Sequence, residues 1–170
     1  MAAGGAWDEQ RSQRAHARRT ALRDLKAVHR LADAAYRPYS CPGTAECCQL
    51  ATTKREPWLW PVEWELLLEV SGGRVPPERA DGGCPFLDAA GKRCTVYADR
   101  PYGCRTFFCQ RFRGPGREPL EAVALLSERL ERVAQALDPD CAGPQTLLSW
   151  HAGAREALEP PPPGDPRVPQ

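Results

Sequence analysis

Seven of the chain's eight cysteines fall between residues 41 and 109: Cys41, the adjacent Cys47 and Cys48, then Cys84, Cys94, Cys104 and Cys109. No other feature constrains the fold as much. A single isolated cysteine is ordinarily a small buried hydrophobe, and that reading suits Cys141, which stands apart between two helical patterns. Seven together call for a chemical reason. A secreted disulfide scaffold would also show an even count. However, the opening Met1-Ala2-Ala3-Gly4-Gly5-Ala6-Trp7-Asp8 lacks the apolar run of a signal peptide, and no segment approaches membrane-spanning length. The expectation is a soluble, cytoplasmic protein with no membrane contact, whose thiols bind metal rather than one another.

A chain of 170 residues, 42% of them apolar, can bury one moderate core, so one domain with appendages is expected. From 11 to about 36, Leu22, Leu25, His29, Ala32 and Tyr36 recur at helical steps among arginines, and Pro38 ends the run. Residues 1–40 thus form a basic N-terminal helix segment. Residues 41–113 are cysteine-rich and punctuated by Gly and Pro. Their one regular element is a short helix from Pro61 to about Val70, which opens with proline at its first position and stops at Gly72-Gly73. Residues 114–158 form a C-terminal helical segment. In it Pro119 opens a helix with a seam of Val123, Leu126, Leu130, Val133 and Leu137, and a last helix runs from about Pro144 to Leu158 carrying Leu147, Leu148 and Trp150. Residues 159–170, dominated by proline, read as a disordered tail.

The spacing of the thiols is not that of the paired Cys-x2-Cys zinc ribbons. Between Cys84 and Cys94, Asp88 to Gly91 supply turn residues, and a short β-hairpin would bring the two sulfurs together. After Cys94 a β-prone run leads to a turn at Arg100-Pro101 that can fold Cys104 back. Adjacent side chains of an extended segment point apart, so Cys47 and Cys48 can share an ion only if the backbone turns between them. His16, His29 and His151 all lie outside the cluster, which leaves sulfur-only ligation and selects zinc, copper(I) or iron–sulfur over magnesium and calcium. The expected fold class is therefore a small irregular α+β core, stabilised by metal through its cysteine cluster, with a short β-hairpin and flanking α-helices.

The run Cys84-Pro-Phe-Leu, then Cys94-Thr-Val-Tyr-Ala-Asp-Arg-Pro-Tyr-Gly-Cys104-Arg, preceded by Cys47-Cys48, resembles the bacterial cysteine-cluster family typified by YkgJ, a zinc- or iron-chelating domain. The resemblance covers about residues 41–109. It implies metal binding without an established reaction. The family is also described as containing iron–sulfur clusters, and the flagellin lysine methylase is a larger relative carrying the domain. Many members have a further cysteine where this chain has Thr44, and a small residue where it has Glu46.

The candidate metal ligands are thus Cys41, Cys47, Cys48, Cys84, Cys94, Cys104 and Cys109, holding an iron–sulfur cluster or zinc; both take four thiolates, so seven imply two sites or a thiol left for another task, and the cluster is preferred on that surplus, the vicinal Cys47-Cys48 pair and the family resemblance. Arg100 and Arg105 are the candidate cofactor-binding residues, since guanidinium groups can neutralise a thiolate centre and donate to sulfur. Arg111, Arg113 and Arg117 read as a solvated strip. The helix cations Arg11, Arg14, Arg18, Arg19, Arg23, Lys26 and Arg30 read as a solvated face, because aromatic residues do not alternate with them and the net charge is only +1. Trp58, Trp60 and Trp64 are expected to pack over the metal core. The expected function is a metal-binding module, redox or structural, with a protein partner left open and nucleic acid not expected. The alternatives are an enzyme or accessory factor of a protein-modification reaction, as the methylase relative implies, and a zinc-stabilised nucleic-acid adaptor using the basic helix.

Overall fold

The computed structural model describes residues 3–41, 43–109 and 113–158. Six α-helices, two single-turn 3-10 segments and one two-stranded antiparallel sheet make up the described fold. Helix α1 spans Ala3–Ala35, extending further upstream than the apolar periodicity alone indicated. Its predicted face is buried throughout: Leu22, Leu25, His29 and Ala32, with Tyr36 just past its end. A 3-10 turn at Glu46–Cys48 leads into α2, Leu50–Thr53, and strand β1, Trp58–Leu59. Helix α3 covers Pro61–Val70, the bounds expected from its proline start and glycine stop. At that stop the Gly73 N–H donates to the Leu68 carbonyl at 2.8 Å, which satisfies a carbonyl of the last turn.

A second 3-10 turn, Tyr97–Asp99, precedes α4, Tyr102–Arg105. Helix α5 spans Leu120–Leu137, strand β2 Gln145–Thr146 and helix α6 Leu147–Glu156. Helix α6 starts later than expected because residues 145 and 146 are spent pairing with β1, in the register Trp58 to Thr146 and Leu59 to Gln145. Thr146 then caps the helix, its hydroxyl accepting from the Ser149 N–H at 3.2 Å. The tail from 159 onward lies outside the described residues.

Helix α3 carries apolar residues on two faces, with Glu65 and Glu69 left toward solvent, and must be buried on both apolar sides. Its Val62 and Leu66 join Ala21, Leu22, Leu25, Val28 and Ala32 of α1, Leu130, Val133 and Ala134 of α5, and Tyr102 of α4 in one core. Val123, Leu126 and Leu137, the rest of the predicted α5 seam, are partly buried against it. Trp64 and Leu67 face a second core with Leu50, Leu59, Phe86, Leu87, Val96, Leu147 and Cys84. Cysteine side chains belong to this second core and to its fringe, where Cys48 and Cys94 pack. Arg18 of α1 braces the assembly through Glu65 and Glu69 of α3, at 2.8 and 2.9 Å.

Three local expectations are corrected. The Cys84–Cys94 segment does fold back, but as a turn closed by a single Leu87–Cys94 bridge, not as two strands. Asp88 explains this: its carboxylate accepts the Lys92 N–H at 2.8 Å and its own N–H meets the Arg93 carbonyl at 2.8 Å, so the backbone groups at the tip are used locally. The β-prone run after Cys94 forms the 3-10 turn, because Arg105 draws it in, donating to the carbonyls of Ala98 and of Arg100. Trp64 packs in the cysteine-bearing second core, stacked on Trp150 with ring centroids 6.4 Å apart, whereas Trp60 packs against the first core instead. Trp58 packs in neither, and is 60% exposed.

Gly82 fixes the approach of two cysteine-bearing loops. Its carbonyl accepts from Ala51 N–H at 3.0 Å, its φ is +65°, and a Cβ there would stand 2.6 Å from the Ala51 methyl. Both the backbone conformation and the space demand glycine. Gly82→Ala is expected to destabilise the fold by about 2 kcal/mol or more, read as a lower midpoint in urea with unchanged slope. An unchanged midpoint would show that the two loops do not meet there.

Candidate metal centre

The thiols converge by four separate routes. Ala45 adopts a left-handed conformation, φ 54°, and starts the 3-10 turn that carries Cys47 and Cys48. That turn defeats the alternation of an extended chain and places the two sulfurs 3.9 Å apart. Cys84 reaches the pair because its N–H donates to the Cys48 carbonyl at 2.8 Å, next to the Gly82–Ala51 contact. Cys94 is brought in by the turn bridged at Leu87. Cys104 rides on α4, pressed close to β1: a Cβ on Gly103 would come within 3.2 Å of the Trp58 carbonyl.

Helix α4 is anchored from below by Glu63, a buried carboxylate of α3. One of its oxygens accepts the Tyr102 N–H at 2.6 Å and lies 3.3 Å from His29 Nε2 of α1, while the other accepts the Trp60 N–H at 3.0 Å. The sequence placed His29 on the apolar face of α1 but did not single out Glu63, whose signal is an acid on the buried side of a short helix.

Electrostatics tie the sulfurs into one group. A hydrogen bond shared between the two thiols lowers the pKa of Cys47 to about 6 and raises that of Cys48. Burial pushes Cys84 up to about 11 and also raises Cys94 and Cys104, and a charge on Cys47 adds to the rise at all three. Arg100 acts against burial at Cys94. In the metal-free chain at neutral pH these three thiols are therefore protonated, and each must release its proton to become a ligand.

Cys41, Cys47, Cys48, Cys94 and Cys104 line one cleft of about 900 Å³, with Cys84 buried behind it. Cys41 is exposed at the rim, its sulfur accepting the Gly43 N–H at 3.4 Å. Cys109 is not among the lining residues. It follows Phe108, whose ring packs edge-on against Tyr39 at 5.4 Å. Cys141 packs against the first core. Arg100 and Arg105 both reach the cleft. Their donors are directed at Asp33 and at the carbonyls of residues 97 to 100, so they hold the loop beside the thiols. Arg111 lies outside the described residues. No helix among the described residues is long and apolar enough to cross a membrane.

The donor set is the sulfur-rich one that zinc and iron favour. Among the described residues no three such side chains stand close enough to grip one ion as placed. The sulfurs lie on short turns and single-bridge loops, the elements least resistant to closing inward.

A family model, CxxCxxCC, described as "Putative zinc- or iron-chelating domain", matches residues 40–135, more than half of the chain. Its name spells a motif that Cys41 to Cys48 follow except at Thr44. Neither the curated proteins nor the solved structures searched give a match.

Proposed function

The chain belongs to the CxxCxxCC family of zinc- or iron-chelating domains, and on that footing we propose that it holds a thiolate metal centre at Cys47, Cys48, Cys84, Cys94 and Cys104, with Cys41 able to close over it from the rim. The observation that carries this reading is geometric: Cys47, Cys48, Cys94 and Cys104 line one cleft, the first two with sulfurs 3.9 Å apart, and the Cys84 N–H is tied to the Cys48 carbonyl at 2.8 Å. Cys109, outside the lining, is the weakest member of the candidate ligand set. Arg100 and Arg105 serve the centre by fixing the Ala98–Arg100 turn beside Cys94 and Cys104, and by setting positive charge against thiolate.

An iron–sulfur cluster is the preferred form. Zinc and a cluster each take four thiolates; what favours the cluster is the resemblance to a family described as containing iron–sulfur clusters, together with the vicinal Cys47–Cys48 pair and the surplus of thiols. Such a centre would supply one-electron chemistry, while the chain's own residues position, bury and charge-balance it. Zinc is the second reading, favoured by one distance: two thiolates on a tetrahedral zinc ion lie roughly 3.8 Å apart, close to the 3.9 Å between Cys47 and Cys48. A redox or structural module is the role that follows, ahead of a protein-modifying enzyme or a nucleic-acid adaptor.

Anaerobic purification decides between the metals. The cluster predicts a brown protein with iron and acid-labile sulfide in comparable amounts, and stoichiometric zinc without sulfide would overturn it. In the same assay Cys104→Ser is expected to lose most of the bound metal and Cys141→Ser to keep it. Equal losses would refute the placement of the centre.

A further inference from the structure

The thiol cleft is lined by cations as well as by sulfur. Lys54, Arg55, Lys92, Arg93, Arg100 and Arg105 line it, and Glu56 is the one carboxylate among its lining residues. Asp33 pairs with both Arg100 and Arg105, and Asp88 lies near enough to Arg93 to be held down by it. Asp99 likewise acts on Arg105. The carboxylates are thus spent on Arg93, Arg100 and Arg105, while Lys54 and Lys92 form no ion pair among the described residues.

Aromatic faces accompany these charges. The Arg100 guanidinium lies 4.2 Å over the Tyr97 ring and that of Arg55 5.3 Å over Phe107, contacts that hold the cations in place at the cleft wall. Trp58 lines the same cleft with its indole largely exposed, although tryptophan is usually buried. Guanidinium and ammonium groups together suit phosphate oxygens, and an open indole face suits a heterocyclic base. A cleft of about 900 Å³ has the size of a small-molecule site.

From this juxtaposition we infer that the cleft binds a mononucleotide, its phosphates on the Lys54–Arg55 and Lys92–Arg93 pairs and its base against Trp58, beside the thiol centre. The inference rests on the thiolate reading only in that the cations and the thiols line the same cleft. It adds a ligand class to that site: the centre and a bound nucleotide share one cleft.

The test uses the full chain purified anaerobically, with metal content measured on every sample and ADP titrated by calorimetry at low salt. Saturable ADP binding is expected. Lys54→Glu combined with Lys92→Glu should weaken it by about tenfold or more, and Trp58→Ala severalfold. Metal content should be unchanged in both, since neither variant removes a sulfur. Metal-loaded protein that fails to bind ADP would overturn the inference and leave the thiol centre standing. So would inorganic phosphate binding as tightly as ADP, a charge-reversed variant binding as well as the parent, or a single-stranded oligonucleotide outcompeting ADP. A metal-free sample that binds ADP would uphold the cleft and overturn the thiol centre. A metal-free sample that does not bind would overturn both.

Discussion

Stripping metal from the purified protein is expected to lower its melting temperature by more than about 10 °C, with the loss concentrated in the second core. The first core of α1, α3 and α5 is closed by apolar side chains alone and contains no cysteine among its buried members. The second includes Cys84, with Cys48 and Cys94 packed on it, and is assembled from short turns. Without a metal those thiols must be accommodated as neutral, partly buried groups, and the loops joining them lose their cross-link. Helical circular dichroism should therefore survive chelation largely intact. Amide exchange should speed up across residues 44–53 and 82–105 while α1 and α5 stay protected. Identical melting curves with and without metal would remove the centre from any structural role. Uniform loss of protection would mean that the two cores unfold as one.

Glu63→Ala is expected to destabilise the protein by about 3 kcal/mol or more, the largest effect of any single substitution outside the cysteines. The side chain is 1% exposed and holds three groups at once: the Trp60 N–H at the start of α3, the Tyr102 N–H at the start of α4, and His29 of α1. Alanine would leave two backbone N–H groups and an imidazole without their acceptor in a buried place, and would open a cavity between three helices. Glu63→Gln keeps the volume and one carbonyl oxygen, so it should lie between the parent and Glu63→Ala. A structural role alone would show only in the melting midpoint. A positioning role toward Cys104, which follows Tyr102 by two residues, would also lower bound metal per folded protein, measured below the melting range. Midpoints for Glu63→Ala within 1 °C of the parent, roughly a quarter to a half of a kcal/mol for a chain this long, would refute both.

Much of the helical frame could be read directly. Leu22, Leu25, His29, Ala32 and Tyr36 share a face because a helix repeats every 3.6 residues, and that period acts on neighbours in sequence. Pro61 and Gly72-Gly73 bound α3 for equally local reasons, a fixed φ at one end and positive φ at the other. The clustering of cysteines likewise pointed to a sulfur-rich site, and the run from Cys84 to Arg105 resembles the family whose model the chain matches.

The geometry of the site was not legible in the same way, because it is made by contacts between distant segments. β1 pairs with β2, a segment from the far end of the chain, and neither dipeptide advertises the other. The turn that brings the Cys47 and Cys48 sulfurs to 3.9 Å depends on a left-handed alanine, a conformation that alanine does not signal. Lys54-Arg55 and Lys92-Arg93, unremarkable pairs in sequence, become one charged wall only when their loops fold to the same cleft. Cys109 carries the same chemistry as Cys104 and lies outside that cleft. The sequence by itself determined the main helices and the sulfur-rich chemistry of the candidate site, since periodicity and side-chain chemistry are properties of the chain taken a few residues at a time. Which sulfurs face one another, what anchors them from below and what charge surrounds them were decided only by the tertiary structure, because each depends on the relative placement of segments tens of residues apart.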